Sequence, residues 1–322
     1  MKKIVTSMCM LAVVALAFTS CKKNEENTQA FAFNHSTEQL VSDEGSFDKV
    51  YLDQNLHVNF EDGDQVMVFD IEDETGDNST AMLYTVANNA TQLTSSGTFT
   101  NTAGNFYAFY PGGNVTVTAD LFEQENQATF TLQPTQVCRI IDGKPAIPEN
   151  SLYMAAKDET HKKFSETYFD FKNICGVLSC KFYSPSGKKV TSIEVTDHKY
   201  HLTGDVTLKI HAVDPVEMTT LFQNYNDSEQ WLNDLVTYET SVGYSVDNAG
   251  STVTLDCGDG VELGETAATA TRFFIVLRPL ALVNGCDIVV TFDDGDTFEI
   301  NSDRDNRIKP NVIRNIAAVN VD

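Results

Sequence analysis

Short apolar stretches separated by turn residues recur from about residue 58 to the end of the chain. Residues 115–118 (VTVT) and 128–132 (ATFTL) alternate in polarity, which is typical of a strand with one buried face. Asp62-Gly63 and Asp294-Gly295 each separate two such stretches and predict β-hairpin turns. Residues 272–277 are apolar on both faces, as in a central strand. This spacing of short strands predicts an all-β protein built from β-sandwiches.

Other stretches predict further elements of the same kind. Residues 192–196 and 204–210 look like a pair of strands, and residues 251–255 lead into a glycine-rich acidic loop over 256–265. A last strand is predicted over Val312 to Val321. Only residues 215–236 have apolar positions at roughly helical spacing, which predicts a short helical insertion.

The first residues have the pattern of an export signal. Lys2 and Lys3 precede an apolar stretch from Ile4 to Phe18, and small residues then lead to Cys21. The apolar stretch is shorter than the ~20 residues that span a bilayer, so a cleaved signal over residues 1–20 is expected. The cysteine resembles that of a lipobox, which makes Cys21 the predicted lipidation site. An ordinary secretory signal is the alternative. Residues 21–45 are mostly polar and predict a flexible tether or leader, and whether residues 22–49 instead form the first strand of domain one stays open.

Composition then limits the size and the partners of the exported part. Removing residues 1–20 leaves 302 residues, which favours two domains, and we place them at 46–165 and 166–322 around the polar stretch 157–163. The chain has 46 acidic residues against 22 lysines and arginines, a net charge of −24. Such a charge excludes nucleic-acid binding.

Five cysteines follow Cys21, and none of them has C-x-x-C spacing. Cys175 and Cys180 are an odd number of residues apart in one apparent strand, so we expect them on opposite faces. An odd number of cysteines favours small buried side chains over a disulfide framework. A bond between Cys257 and Cys286 stays open.

No motif of catalysis or cofactor binding occurs, so we expect no enzyme activity, no cofactor and no metal. The sequence lacks nucleophile-elbow, zinc-protease and phosphate-loop spacings. His198 and His201 form the closest histidine pair, but His211 is ten residues farther on, and zinc needs at least three ligands. Residues 301–306 place oxygen ligands at alternate positions, and residues 256–265 are acidic. Residues 301–306 lack the glycine and the distal acid of a calcium loop, so they are expected to form a turn, and residues 256–265 are expected to form an acidic loop.

The order of several motifs resembles the fimbrillin family, the type V pilins and Mfa-like lipoproteins of Gram-negative anaerobes. The resemblance extends from about Val50 to Asp322. It is carried by FEDGDQVMVF at 60–69, FYAFYP at 106–111, FKNICGVL at 171–178, FFIVLRPL at 273–280 and KPNVI at 309–313.

The resemblance implies two tandem transthyretin-like β-sandwich domains and an assembly mechanism. In stalk members a trypsin-like protease removes the first strand, and a strand donated by the next subunit takes its place. The processing residue is typically an arginine, whereas the first arginine here is Arg139. Lys49 is the only lysine or arginine between Lys23 and Arg139, so Lys49 is the candidate processing site. The alternative is that Lys49 is an ordinary surface lysine.

Stalk members also carry an extra C-terminal strand, whereas this chain is expected to end with its last sandwich strand. The sequence therefore favours a lipid-anchored surface protein of the outer membrane or fimbrium, acting as a tip, anchor or accessory pilus subunit or as an adhesin. Its expected partners are other pilus subunits or ligands on host or bacterial surfaces. A glycan-binding lipoprotein of a polysaccharide-capture system is the alternative. It is weakened because Trp231 is the only tryptophan and Tyr84, Tyr107 and Tyr110 lie in predicted strands.

Overall fold

The computed structural model of the chain is built almost wholly from β-strands. It describes residues 29–37, 39–42, 59–70, 80–96, 99, 106–120, 125–148, 150–158, 163–199, 201–211, 250–279, 281–309 and 311–322. Within these ranges the only helical elements are single 3-10 turns at Gly112–Asn114, Phe164–Glu166 and Ala267–Thr269. None of the described helices has the length and hydrophobicity to cross a membrane. The prediction of an all-β protein is confirmed, and the helical insertion predicted near 215–236 lies outside the described residues.

The described strands are numbered here in chain order. They are β1 (Gln29–Ala32), β2 (Asn34–Thr37), β3 (Val41–Ser42), β4 (Gln65–Asp70), β5 (Thr80–Ala87), β6 (Gln92–Ser95), β7 (Phe106–Tyr110), β8 (Val115–Asp120), β9 (Glu125–Leu132), β10 (Thr135–Val137), β11 (Arg139–Ile141), β12 (Lys144–Ala146), β13 (Met154–Lys157), β14 (Tyr168–Asn173), β15 (Gly176–Tyr183), β16 (Lys189–Asp197), β17 (Gly204–His211), β18 (Thr252–Glu262), β19 (Thr271–Leu277), β20 (Cys286–Phe292), β21 (Thr297–Ser302), β22 (Val312–Asn315) and β23 (Val319–Asn320).

These strands form several sheets, of which the largest has eight strands. Its order is β1-β6-β5-β4-β7-β13-β14-β2. One five-stranded sheet has the order β10-β18-β16-β20-β21. A second five-stranded sheet has the order β19-β15-β22-β3, with β23 also paired to β15. Smaller sheets join β17-β9-β8 and β11-β12.

Three apolar clusters hold the sheets together, and alternation along single strands connects them. On β7, Phe106, Ala108 and Tyr110 enter one cluster while Tyr107 and Phe109 enter another. On β19, Phe273, Ile275 and Leu277 enter the C-terminal cluster, whereas Phe274 and Val276 enter the cluster shared with β7. Strands buried on both faces therefore form the middle layers.

The cluster that contains Phe106 (the N-terminal core) draws its buried members from residues 33–171. The cluster that contains Phe273 (the C-terminal core) draws its buried members from residues 178–321. The remaining cluster (the shared cluster) contains residues from both halves of the chain, including Phe109 and Val276. The division at 165/166 stays a prediction.

Several local predictions are confirmed. Strands β20 and β21 form the Asp294-Gly295 hairpin, with Gly295 at a φ of +87°. This is the left-handed conformation that glycine favours in such turns. Cys175 packs in the shared cluster and Cys180 in the C-terminal core, so the two cysteines enter different clusters as expected, although Cys175 lies between β14 and β15 and not in the same strand as Cys180.

Other pairings differ from the sequence predictions because strand partners are chosen over long distances. Asp62-Gly63 forms a turn, but residues 59–61 form no strand, and β4 pairs instead with β5 and β7. The predicted pair of strands at 192–196 and 204–210 is wrong, since β16 pairs with β18 and β20 whereas β17 pairs with β9.

Two further elements differ in extent. The predicted loop over 256–265 continues β18 as far as Glu262, and the register with β16 shifts between Val190 and Ser192. Gly258 and Gly260 have positive φ, which allows this bulge. The predicted last strand is split into β22 and β23, which both run parallel to β15.

Candidate functional site: the N-terminal segment and its groove

The N-terminal segment, residues 29–42, closes the eight-stranded sheet. Strand β1 is antiparallel to β6, with Gln29 opposite Ser95 and Ala32 opposite Gln92. Strand β2 is parallel to β14, with Asn34 opposite Tyr168. Since only Phe33 separates β1 from β2, one short stretch of chain fills the gap between the two ends of the sheet.

The same segment continues into a second sheet. In β3, Val41 and Ser42 pair in parallel with Val312 and Ile313 of β22. Single backbone bonds extend the contact, since the Phe33 N–H donates to the Thr91 carbonyl at 2.9 Å and the Val41 N–H donates to the Asn311 carbonyl at 2.9 Å. The segment therefore contacts three strands that are far from it in the sequence.

Alternate side chains of the segment enter the core. Phe33 is 4% exposed, and its ring centroid lies 5.1 Å from that of Phe60. Phe31 is half-buried and lies 5.1 Å from the ring of Phe164. Leu40 is 1% exposed and belongs to the cluster shared by both halves of the chain. Ala30 and Ala32 are exposed, as expected for the opposite face of the same strand.

His35 continues the inward face. Its ring stacks on Phe33 with centroids 4.1 Å apart, and its Nδ1 lies 3.2 Å from the Phe33 carbonyl oxygen. Burial lowers the pKa of His35, because removal from water disfavours the imidazolium. The hydrogen bond to Phe33 opposes this effect only in part. The neutral ring therefore acts as a third aromatic group of the segment.

Polar side chains fix the register along the edge. The Asn34 amide donates to the Thr167 carbonyl at 3.3 Å, and the Ser36 hydroxyl donates to Asp170 at 2.6 Å. The Asn315 amide donates to the Ser42 hydroxyl at 3.0 Å. Because a shift by one residue would turn Phe33 outward, these bonds and the aromatic side chains select one register.

This arrangement can support strand addition. A strand edge offers a row of main-chain donors and acceptors to any extended chain, and pockets for alternate side chains make the addition selective. The segment that now fills the groove also shows what fits it, namely large apolar side chains at alternate positions.

The segment was not expected to be structured throughout, because the sequence predicts a tether over 21–45. In the structure residues 29–37 and 39–42 are instead strand and short connections. The period of two in Phe31, Phe33 and His35 was the signal that could have revealed them. The predicted lipidation site Cys21 and processing site Lys49 both lie outside the described residues.

The other candidate chemistry is not assembled. The described residues contain no group of histidine, cysteine, aspartate or glutamate side chains that could hold a metal ion. In the candidate calcium loop, Arg307 pairs with Asp305 at 3.2 Å, and the Asn306 amide donates to the Ser302 hydroxyl at 3.1 Å. These contacts are those of a turn.

The aromatic residues considered for glycan binding serve as core. Tyr84, Tyr107 and Tyr110 are 0%, 2% and 7% exposed, in agreement with the sequence interpretation, and Trp231 lies outside the described residues. Among the described residues Tyr168 is the only aromatic side chain of the exposed large hydrophobic set. One tyrosine does not make a platform for a sugar chain.

An all-β protein closed by its own N-terminal strand is thus the class that the fold defines. Three solved structures with a similar fold are candidate cell adhesion proteins from Bacteroides ovatus and Bacteroides uniformis and a fimbrial protein from Bacteroides ovatus. The first has a TM-score of 0.47 at 14% identity and covers 88% of both chains. The second has a TM-score of 0.40 at 14% identity and covers 76% of this chain and 79% of the other.

The fimbrial protein has a TM-score of 0.36 at 11% identity, and the match covers 91% of this chain and 50% of the fimbrial protein. No protein-family model and no curated protein matches the chain. At these TM-scores a function has to be inferred from this chain's own structure, and above all from its sheet edges.

Proposed function

We propose that this protein is a surface-exposed lipoprotein of the fimbrillin class, a pilus subunit or adhesin that assembles by β-strand addition. The observation that carries the proposal is the N-terminal segment, which pairs in turn with β6, β14 and β22. A segment that is short, terminal and paired along its length can be exchanged for another strand without rebuilding the rest of the core.

The edges left by its removal support this mechanism. Without the segment, β6 and β14 each lose one of their two neighbours in the large sheet, and β22 loses β3. The edges of these three strands then present unpaired main-chain groups along one groove. Pockets near Phe60 and Phe164 would be vacated at the same time, which adds apolar surface to the groove.

Lys49 is the processing residue in this proposal. It lies in the sequence between β3 and Asn59, so that cleavage after it separates the whole N-terminal segment from the rest of the chain. The new N-terminus would be Val50. If Lys49 stays uncut, the segment remains in its groove, and the lipid on Cys21 serves as the permanent attachment to the outer membrane.

The last two strands belong to the chain's own fold. Strands β22 and β23 pair with β15, and Val321 is 1% exposed in the C-terminal core. The stretch from Val312 to Val321 is therefore occupied in the chain's own fold. Among subunit roles we propose a tip, anchor or accessory position. The organisation we propose is two tandem transthyretin-like domains, in line with apolar cores drawn from each half of the chain.

Whole cells that express the protein with Lys49 intact and as Lys49→Gln test the processing step. Surface material is treated with a trypsin-like protease and examined by N-terminal sequencing and by electrophoresis in SDS without heating. The native chain should give an N-terminus at Val50 and SDS-resistant oligomers, and the variant should give neither. Monomeric, uncut native protein under these conditions would contradict the polymerising role and leave the anchored adhesin.

A further inference from the structure

Two of the five described cysteines lie side by side where two sheets meet. Strand β10 runs parallel to β18, with Gln136 opposite Leu255 and Val137 opposite Asp256. The next residues on the two strands are Cys138 and Cys257. The Cys138 N–H donates to the Asp256 carbonyl at 2.8 Å, so the pairing continues to the cysteines.

This placement fits the geometry of a disulfide. Neighbouring strands are about 4.8 Å apart, which is within the ~4.4–6.8 Å that separates the Cα atoms of bonded cysteines. Both side chains are only partly buried. The neighbouring Cys257 stabilises the Cys138 thiolate, which lowers the pKa of Cys138 and raises the pKa of Cys257, so Cys138 supplies the thiolate of the pair.

The other three cysteines lack this combination. Cys175, Cys180 and Cys286 are each 1% exposed or less. Burial raises the pKa of Cys175 to about 12 and that of Cys286 to about 11, and it raises the pKa of Cys180 as well. Thiols that are buried and protonated react slowly with an external disulfide. Cys286 is also separated from Cys257, which lies against Cys138 instead.

We propose that Cys138 and Cys257 form a disulfide in the exported protein. The Cys138 thiolate attacks one sulfur of an external disulfide, which releases one thiolate and leaves a mixed disulfide. The Cys257 thiol loses its proton and attacks the Cys138 sulfur, which releases the second thiolate. Two protein thiols are thereby oxidised, and the external disulfide takes up the two electrons and becomes two thiols.

The bond would hold β10 in place between two sheets. Strand β10 is the edge strand of one sheet, where its backbone pairs with β18. Through the buried amide of Gln136 it also pairs with β19, since Nε2 donates to the Val276 carbonyl at 2.7 Å and Oε1 accepts from the Val276 N–H at 3.0 Å. A covalent bond at Cys138 therefore fixes the strand that bridges the two sheets.

Oxidation of the purified chain from residue 22 onward with glutathione disulfide tests the assignment. Free thiols are alkylated under denaturing conditions, and the chain is cut before aspartates, which gives peptides 120–141 and 256–258. These two peptides should be recovered as one linked species. The oxidised chain should melt about 5–10 °C above the reduced chain, because a bond across a long loop restricts the unfolded state.

Cys257→Ser and Cys138→Ser are matched controls, because both positions are partly exposed. Each variant should melt close to the reduced native chain and should lose the shift on oxidation. Five alkylated thiols after oxidation, or a bond to Cys286 instead, would overturn the proposal. The proposed export supplies the oxidising compartment in the cell, but the test itself needs neither export nor cleavage at Lys49, so the two proposals can fail separately.

Discussion

Phe33→Ala should loosen the N-terminal segment selectively. The Phe33 ring is 4% exposed and packs with centroid distances of 4.1 Å to His35, 5.1 Å to Phe60 and 6.3 Å to Phe171. Removing a buried phenylalanine ring typically costs about 3–5 kcal/mol, because both the burial and the packing contacts are lost.

Since Phe33 lies between β1 and β2, this loss of free energy should favour local opening of the N-terminal segment. Each ~1.4 kcal/mol is a factor of ten in an equilibrium constant, so opening should become at least ~100-fold more frequent. Hydrogen exchange followed by mass spectrometry measures this, with a peptide over 29–37 as the reporter and β15 as the internal reference. The matched control is Ala30→Ser, on the exposed face of β1.

Exchange over 29–37 should be accelerated in Phe33→Ala and unchanged in Ala30→Ser, while β15 stays protected in both. Equal acceleration of β15 would mean that the segment is not a separable unit. Unchanged exchange over 29–37 would mean that Phe33 does not hold the strand in the groove. Either result would refute the reasoning.

Two other predictions concern the polar contacts made by Gln136 and His198. Gln136→Ala leaves the N–H and carbonyl of Val276 unpaired in the core. Urea denaturation should show a free energy of unfolding lower by about 1–3 kcal/mol for each group. The control Gln133→Ala, at an exposed position, should have little effect. The hydrogen bond from His198 to Asp287, at 3.0 Å, raises the pKa of His198. The stability from this pair should be complete below about pH 6.5 and disappear as the pH rises through the raised pKa. An NMR titration should show the His198 pKa falling in Asp287→Asn, and an unchanged pKa there would contradict the assignment.

Local chemistry made part of this fold predictable. The Asp294-Gly295 turn needs a residue that tolerates positive φ, and the two strands beside it are neighbours in the chain. The placement of neighbouring β19 residues such as Phe273 and Phe274 in different clusters follows from the period of two in a strand. In both cases the deciding interaction lies within a few residues.

The remaining pairings depend on residues far apart in the chain. Strand β17 pairs with β9, from Gly204 opposite Leu132 to His211 opposite Glu125, and no local pattern in either strand specifies that partner. The N-terminal segment is similar, since Phe31 and Phe33 stand among polar and small residues and look like part of a tether until the groove that receives them is known. The contact between Cys138 and Cys257 also arises only from the parallel pairing of β10 with β18.

Exchange of a labelled strand into the cleaved chain tests whether the groove of the N-terminal segment accepts an added strand. The chain from residue 22 is cut after Lys49 and mixed with an excess of a fluorescent peptide of residues 27–44, and uptake is followed by anisotropy. Matched peptides carry Phe33→Asp on the inward face or Ala32→Ser on the exposed face. Uptake is expected for the native and Ala32→Ser peptides and is not expected for Phe33→Asp. Equal uptake of all three peptides, or of none, would contradict a groove that accepts a strand by its alternate apolar side chains.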